Sequence, residues 1–397
     1  MIFKLYRFWF SFVLLFCSVD ATAHVKWFSE YDTSAAPRAL ADVLTLPFIA
    51  ITLLSCLLVF MLSYLDSSRF GESLKLYFNR LVSQTLTVSR QYFCTSAIRY
   101  GLIVFFTAIW ALGSIILTPE LRYEDNWLIG SLHILIIVSL MFKPTTIISG
   151  ACLLLLWLTG VVQYGFFHLA DYTIFIGIAI FLILIAYNQP VVQRSAFVLL
   201  FAAISITLQW ASIEKFVYPE WTFPILSERP HLSMGLDRET FMIIAGVVEF
   251  LLAFLLISTR SVSFLLAAIG LAVVFLLAII DFGKVDAIGH LGIIVCLFVM
   301  TIYGPTGLNH RLSNLHKNIK LNALLVTCLY FFSLCLFFGL YYGTRYVWLS
   351  MPSSGWLLGV LTLAFIGIGI TAVIYRSTGK NFIFNFTTVP LEEIKKG

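Results

Sequence analysis

Glu249 stands inside an apolar run, Gly246-Val247-Val248-Glu249-Phe250, where an ionisable group needs a partner or a cavity. Counted from Phe241, it lies about 12 Å into that run at a helical rise of 1.5 Å per residue. A charge at such depth costs about 2.5–3.5 kcal/mol on insertion scales. Lys215, Lys284 and His290 fall on the same side of the membrane and can serve as partners. A carboxylate facing a lysine or histidine is a proton relay, a ligand for a cation, or an ion pair that holds helices together.

The histidines suggest a second chemistry. Asp286 and His290 are four residues apart and share a helix face; His168 and Asp171 are three apart at another corner. Cleavage of an amino-terminal signal after Ala23 would expose His24, whose α-amine and imidazole together chelate a divalent ion, most naturally Cu(II). His24, His168, Asp171, Asp286 and His290 thus form a candidate metal constellation. The plainer alternative for Asp171 and Asp286 is helix capping, since both precede apolar runs. His133, inside an apolar stretch, reads as a hydrogen-bonded packing residue. His231 is a solvated further ligand at most, and His310 and His316 sit in a basic loop without evident partners.

The elements that position these residues are membrane helices. Of 397 residues, 60% are hydrophobic and 11% charged, against roughly 25% charged in soluble domains. The apolar residues come in long runs, so the expected fold is all-α: a polytopic transmembrane bundle with about eleven spans. These are placed at 44–65, 97–117, 127–142, 146–166, 171–187, 195–213, 240–258, 262–281, 286–304, 321–342 and 355–375. Residues 1–23 read as a signal peptide: Lys4 and Arg7, the apolar run Phe8–Val19, then Ala21-Thr22-Ala23.

Lys and Arg gather in alternate loops, with Arg69, Lys75, Arg80 and Arg90, then Lys143, Arg194, Arg260, Arg311, Lys317 and Lys320. Those loops are therefore expected in the cytoplasm of a bacterial inner membrane, with the mature amino terminus external and the carboxy terminus cytoplasmic. The net charge of +5 is a topology signal and does not point to nucleic acid. None of the seven cysteines falls in an expected external loop and no CxxC pair occurs, which argues against a disulfide framework or a thiolate metal site. Walker A, dinucleotide-glycine, HExxH and CxxCH motifs are also missing.

Two stretches echo each other. Thr118-Pro119-Glu120-Leu121 corresponds to Tyr218-Pro219-Glu220-Trp221, and Tyr164-Gly165-Phe166-Phe167-His168 to Phe282-Gly283-Lys284-Val285-Asp286. Tyr172 then falls opposite His290. The pattern suggests two parallel four-helix units at 97–190 and 191–305, with sites near their interface. A signal at 1–23, an external amino terminus, first span and cytoplasmic loop at 24–96, and two carboxy-terminal spans with a cytoplasmic tail at 306–397 complete the organisation.

From Trp210 through Glu249 to His290, the chain resembles the DoxX family of bacterial membrane proteins. The resemblance rests on Glu214-Lys215-Phe216 ending a helix near Pro219, on Gly246-Val247-Val248-Glu249 in the next helix, and on four-helix spacing over about 195–305. A diverged copy would occupy about 97–190. The family implies a four-helix bundle associated with redox enzymes, one relative being a thiosulfate:quinone oxidoreductase subunit. Lys215 and Glu249 then become the first candidates for proton relay or headgroup binding, with Trp210 and Glu214 as cofactor contacts.

The leading expectation is a redox-associated membrane protein whose external polar site takes a quinone headgroup or a metal ion such as copper, with the lipid bilayer and a redox protein as partners. A transporter or metal-uptake protein with the same entry site, and a scaffold held by structural ion pairs, are the alternatives.

Overall fold

The computed structural model describes residue 32, residues 34–86, 88–123 and 126–350, and residues 359 and 362. The expected signal, His24 and most of the expected span 355–375 lie outside the described residues. Among these the chain is helical, with a single isolated antiparallel bridge between Ile115 and Arg122. Among the described residues, eight helices are long and apolar enough to cross a membrane. The principal helices are α1 (Leu46–Asp66), α2 (Arg69–Thr85), α3 (Arg90–Leu112), α4 (Asn126–Leu140), α5 (Thr146–Tyr164) and α6 (Thr173–Ile185). They continue with α7 (Pro190–Val217), α8 (Arg238–Ser258), α9 (Val262–Tyr303), α10 (Gly307–Leu312) and α11 (Ile319–Ser350).

At 42 residues, α9 is about twice the length needed to cross a bilayer. It divides at Gly283, whose φ of 75° and ψ of −152° lie outside helical space. The rings of Phe275 and His290, on opposite arms, are only 4.7 Å apart. Phe201 of α7 meets both Phe264 near the start and Tyr303 at the end. The chain therefore reverses at Gly283, and the expected spans 262–281 and 286–304 are its two arms. Gly165, between α5 and the helical turns leading into α6, has a comparable φ of 87°. Such angles disfavour any residue with a Cβ.

One expected boundary changes. The second span ends at Leu112, not 117: Gly113 turns the chain, and residues 113–123 fold into a buried hairpin. Ile116 N bonds Leu121 O at 2.7 Å and Tyr123 N bonds Ser114 O at 2.8 Å, so this irregular backbone satisfies its own polar groups. His133 Nε2 takes up Ile116 O at 3.0 Å, which is the packing role its sequence position suggested. Between the first two spans, the basic loop at residues 66–96 is largely occupied by α2.

Around α7 the bundle is continuous. α6 packs on one side and α8 on the other; α3 closes against the second arm of α9, and α1 and α11 pair on the flank of α8. Polar ties reinforce this packing, as expected where lipid supplies no hydrophobic driving force between helices. Gln209 Nε2 donates to Ser205 Oγ (2.8 Å), Ser205 Oγ to Ala253 O (2.7 Å), and Ser333 Oγ to Gln209 Oε1 (2.7 Å), linking α7, α8 and α11.

The helix ends sort by charge. At one end the basic loops meet: Asp66 accepts from Ser261 N and Ser263 N, Asn309 Nδ2 donates to Leu256 O and Thr259 O, and Lys143 donates to Asn188. There, too, buried Arg99 donates to the carbonyls of Leu140 and Met141, satisfying the open end of α4. The opposite end holds Glu120, His168, Glu214, Lys215, Glu220, Glu239 and Asp286.

Candidate functional site

α7 leaves the bundle at this acidic end through Glu214-Lys215-Phe216, and α8 enters it three residues before Phe241. Phe216 lies against Gly246, where a Cβ would come within 2.5 Å of the ring. That close approach brings Lys215 to Glu249: Nζ stands 2.6 Å from Oε2, with side chains 30% and 18% exposed. The two motifs therefore meet in space through their small and aromatic members. Lys284 and His290, the other partners open to Glu249, lie on α9.

Beside this pair opens a cavity of about 430 Å³. Its polar wall includes Lys215, Arg38 and Glu239, and its apolar wall includes Phe48, Met242 and Ile243. Arg38 is a clamp as well as a wall. Its Nη1 and Nη2 reach the two carboxylate oxygens of Glu239 at 2.8 and 2.6 Å, and its Nε donates to Glu220 at 2.6 Å. The bond to Glu239, then that to Glu220, outweighs partial burial and raises the pKa of Arg38 above its already high value. The segment bearing it is fastened by Tyr342 OH to Arg38 O (2.6 Å), and by Arg345 Nη2 to Ala35 O (2.6 Å).

Trp210 and Glu214 face another way. Trp210 packs between Phe167 and Tyr341 at 6.0 and 4.9 Å, and Tyr341 OH donates to Glu214 Oε2 at 3.3 Å. Neither residue lines the cavity beside Lys215. Their neighbour Arg345 is 2% exposed and lies over the rings of Phe167 and Tyr218, at 4.9 and 5.6 Å. Burial pushes the Tyr218 phenol up to about 12.

The expected metal constellation is divided. His168 Nε2 lies 3.0 Å from Glu120 Oε1, and Tyr172 OH donates to the same oxygen. Tyr164 stacks on His168 at 5.8 Å and fixes the hairpin by donating to Arg122 O at 2.6 Å. Far along the chain, His290 Nδ1 lies 3.1 Å from Asp286 Oδ1, with Asp286 1% exposed. His231, expected to be solvated, is 62% exposed but pairs with Asp281 at 2.8 Å. Among the described residues, no three His, Cys, Asp or Glu side chains gather closely enough to hold a metal ion.

Capping does not explain the aspartates either. The residue before α6 is Tyr172, with no side-chain cap bond, and Asp286 lies inside α9 beside His290.

Three participants were not singled out in the sequence. Glu120 had one signal, its echo of Glu220 in the two Pro-Glu turns. Arg345 is a lone cation in an aromatic stretch, Tyr341-Tyr342-Gly343-Thr344-Arg345-Tyr346. Arg38 carried none, because its partners are 182 and 201 residues away. Comparison with known families, curated proteins and solved structures finds no match to this chain.

Proposed function

We propose that this chain is a redox-associated, DoxX-like inner-membrane protein that binds a quinone headgroup in the cavity beside Lys215. The observation that carries the reading is the double placement of Lys215, in the wall of a 430 Å³ cavity and 2.6 Å from Glu249. The residues present fit such a group. The volume falls within the roughly 300–1,000 Å³ of small-molecule sites, and one wall is apolar while the other offers hydrogen-bond donors. Lys215 has three N–H bonds and Glu249 occupies one direction, so its ammonium can still donate to a carbonyl oxygen.

A quinone headgroup, when bound, supplies reversible two-electron chemistry coupled to two protons. The protein's part is positional and protic. Phe48, Met242 and Ile243 accommodate the apolar portion, Arg38 holds Glu239 at the rim, and Glu249 accepts or returns a proton through Lys215. Lacking a gathered set of three ligands among the described residues, the headgroup reading is better supported than a resident metal.

In this reading the acidic end faces outward, the basic loops lie in the cytoplasm, and cleavage before His24 leaves the mature amino terminus outside. Gly165 and Gly283, two of the five described glycines with positive φ, fall where the proposed four-helix units correspond, which supports their common origin.

The test is the quinone content of the full-length protein purified in mild detergent, compared with Lys215→Met and Glu249→Gln. The wild type should carry quinone, and each variant should lose most of it with its helical content intact. A wild type without quinone, under conditions that preserve it in a control protein, would reject the reading. Variants that lower stability alone would favour the scaffold.

A further inference from the structure

α2 is too polar to cross a bilayer, with Arg69, Glu72, Lys75 and Arg80 within its seventeen residues. It is nevertheless held at both ends. Near its start, Ser261 Oγ donates to Gly71 O at 2.9 Å and Arg260 lies 3.7 Å from Glu72. Near its finish, Arg90 Nη1 donates to Asn79 Oδ1 at 3.2 Å. Ser261 precedes α9 and Arg90 begins α3, and both belong to the basic end of the bundle. The helix, about 25 Å long, therefore runs along that end instead of projecting from it.

Its outward half combines two surfaces. Phe70 and Tyr77 are seven residues apart and fall on one stripe, 59% and 69% exposed. Arg69, Leu76 and Arg80 form the adjoining stripe; Leu76 is 62% exposed and both arginines are exposed as well. Aromatic and aliphatic groups beside guanidinium groups, on a helix lying at the level where two spans end, is the pattern of interfacial helices. Such a surface is satisfied by acyl chains below and anionic headgroups beside it. A free anion would answer the arginines but leave Phe70, Leu76 and Tyr77 uncovered.

We infer that α2 docks on the anionic phospholipids of the leaflet at the basic end, Phe70 and Tyr77 entering the acyl boundary while Arg69 and Arg80 hold the headgroups. This site is at the opposite end from the cavity and does not depend on the quinone reading. The geometry commits both stripes to one occupant, because the two anchors prevent the helix from turning over.

The experiment reconstitutes the full-length protein in vesicles of equal parts phosphatidylglycerol and phosphatidylcholine, extracts it gently and assays the lipid that stays bound. The wild type should retain the anionic lipid in preference by about tenfold, as two cations near a charged leaflet allow. Combined R69Q and R80Q substitutions should reduce that preference to near parity. High salt should do the same to the wild type, while inorganic phosphate should leave it unchanged. If the double variant fails to fold, the salt and phosphate arms on the wild type decide. Equal retention of both lipids by the wild type, or a preference that survives salt, would overturn the inference. So would competition by inorganic phosphate, or a loss of self-association in the variant without any change in bound lipid.

Discussion

Glu120 and His168 are 48 residues apart in sequence, yet Oε1 of one lies 3.0 Å from Nε2 of the other. Their side chains are only 5% and 9% exposed, and Tyr172 shares the same carboxylate oxygen. The carboxylate thus ties the buried hairpin after α3 to the helical turn before α6. Glu120→Ala would leave an imidazole and a phenol in a dry site without their acceptor, and should lower stability by about 3 kcal/mol. Glu120→Gln keeps an oxygen there and should cost less than half as much. Chemical unfolding in detergent micelles measures both.

For Lys215 and Glu249 the partial exposure limits the energy. A double-mutant cycle with Lys215→Met and Glu249→Gln should return a coupling of about 1 kcal/mol, with the double variant more stable than additivity predicts. Additive losses would mean that the two side chains act separately in solution.

His310, in the short α10 at the basic end, has its pKa lowered to about 4, chiefly by burial and then by Lys75 and Arg260. The unfolded chain takes up this proton near pH 6.5 whereas the folded protein resists it until about 4. Stability from this group is therefore complete above about pH 6.5, declines as the pH falls, and levels off below about 4. Replacing His310 with Gln should flatten the melting temperature over that interval. An unchanged slope would assign acid sensitivity to other groups.

Gly283→Ala should destabilise the protein by about 1–3 kcal/mol, because a Cβ is forced into a backbone region that glycine alone occupies readily. The same substitution at Gly165 adds a steric conflict with the ring of Trp348 and should be the more damaging of the two. Thermal melting of both variants, with a helix-interior substitution such as Gly339→Ala as reference, tests the order.

Arg38→Lys retains a charge but not the fork that reaches Glu220 and Glu239 together. The segment 34–45 should then be cut by protease several times faster than in the wild type, with little change in the rate for the rest of the chain. Equal rates would show that Tyr342 and Arg345 suffice to hold it.

How much of this was legible in the sequence depended on range. Glu249 was visible because one carboxylate in an apolar run has few explanations, and the alternation of loops put Lys215 on its side. The reversal at Gly283 was legible too, since two apolar runs flank a cluster of charges. The end of α3 was not: Ile115, Ile116 and Leu117 prolong the hydrophobic run past Leu112, so hydropathy could not register that the backbone had turned. α2 was hidden for the opposite reason, its apolar residues being diluted by the arginines and lysine that mark topology. The pairs of His168 with Glu120 and of Arg38 with Glu239 arise from tertiary packing, which neither period nor spacing encodes.

The reversal at Gly283 also has a consequence for biosynthesis. Asp281, Lys284 and Asp286 crowd the tip between the two arms of α9. In the proposed orientation, with the acidic end outward, neither arm could deliver those charges across the hydrocarbon by itself without a penalty of several kcal/mol. Entering together as a preformed hairpin, the arms carry the tip through while their backbones are already hydrogen-bonded, and Asp286 already has His290 beside it. The order in which this protein emerges from the ribosome should therefore show a pause in membrane entry at the first arm, released only when residues up to about Tyr303 have been made.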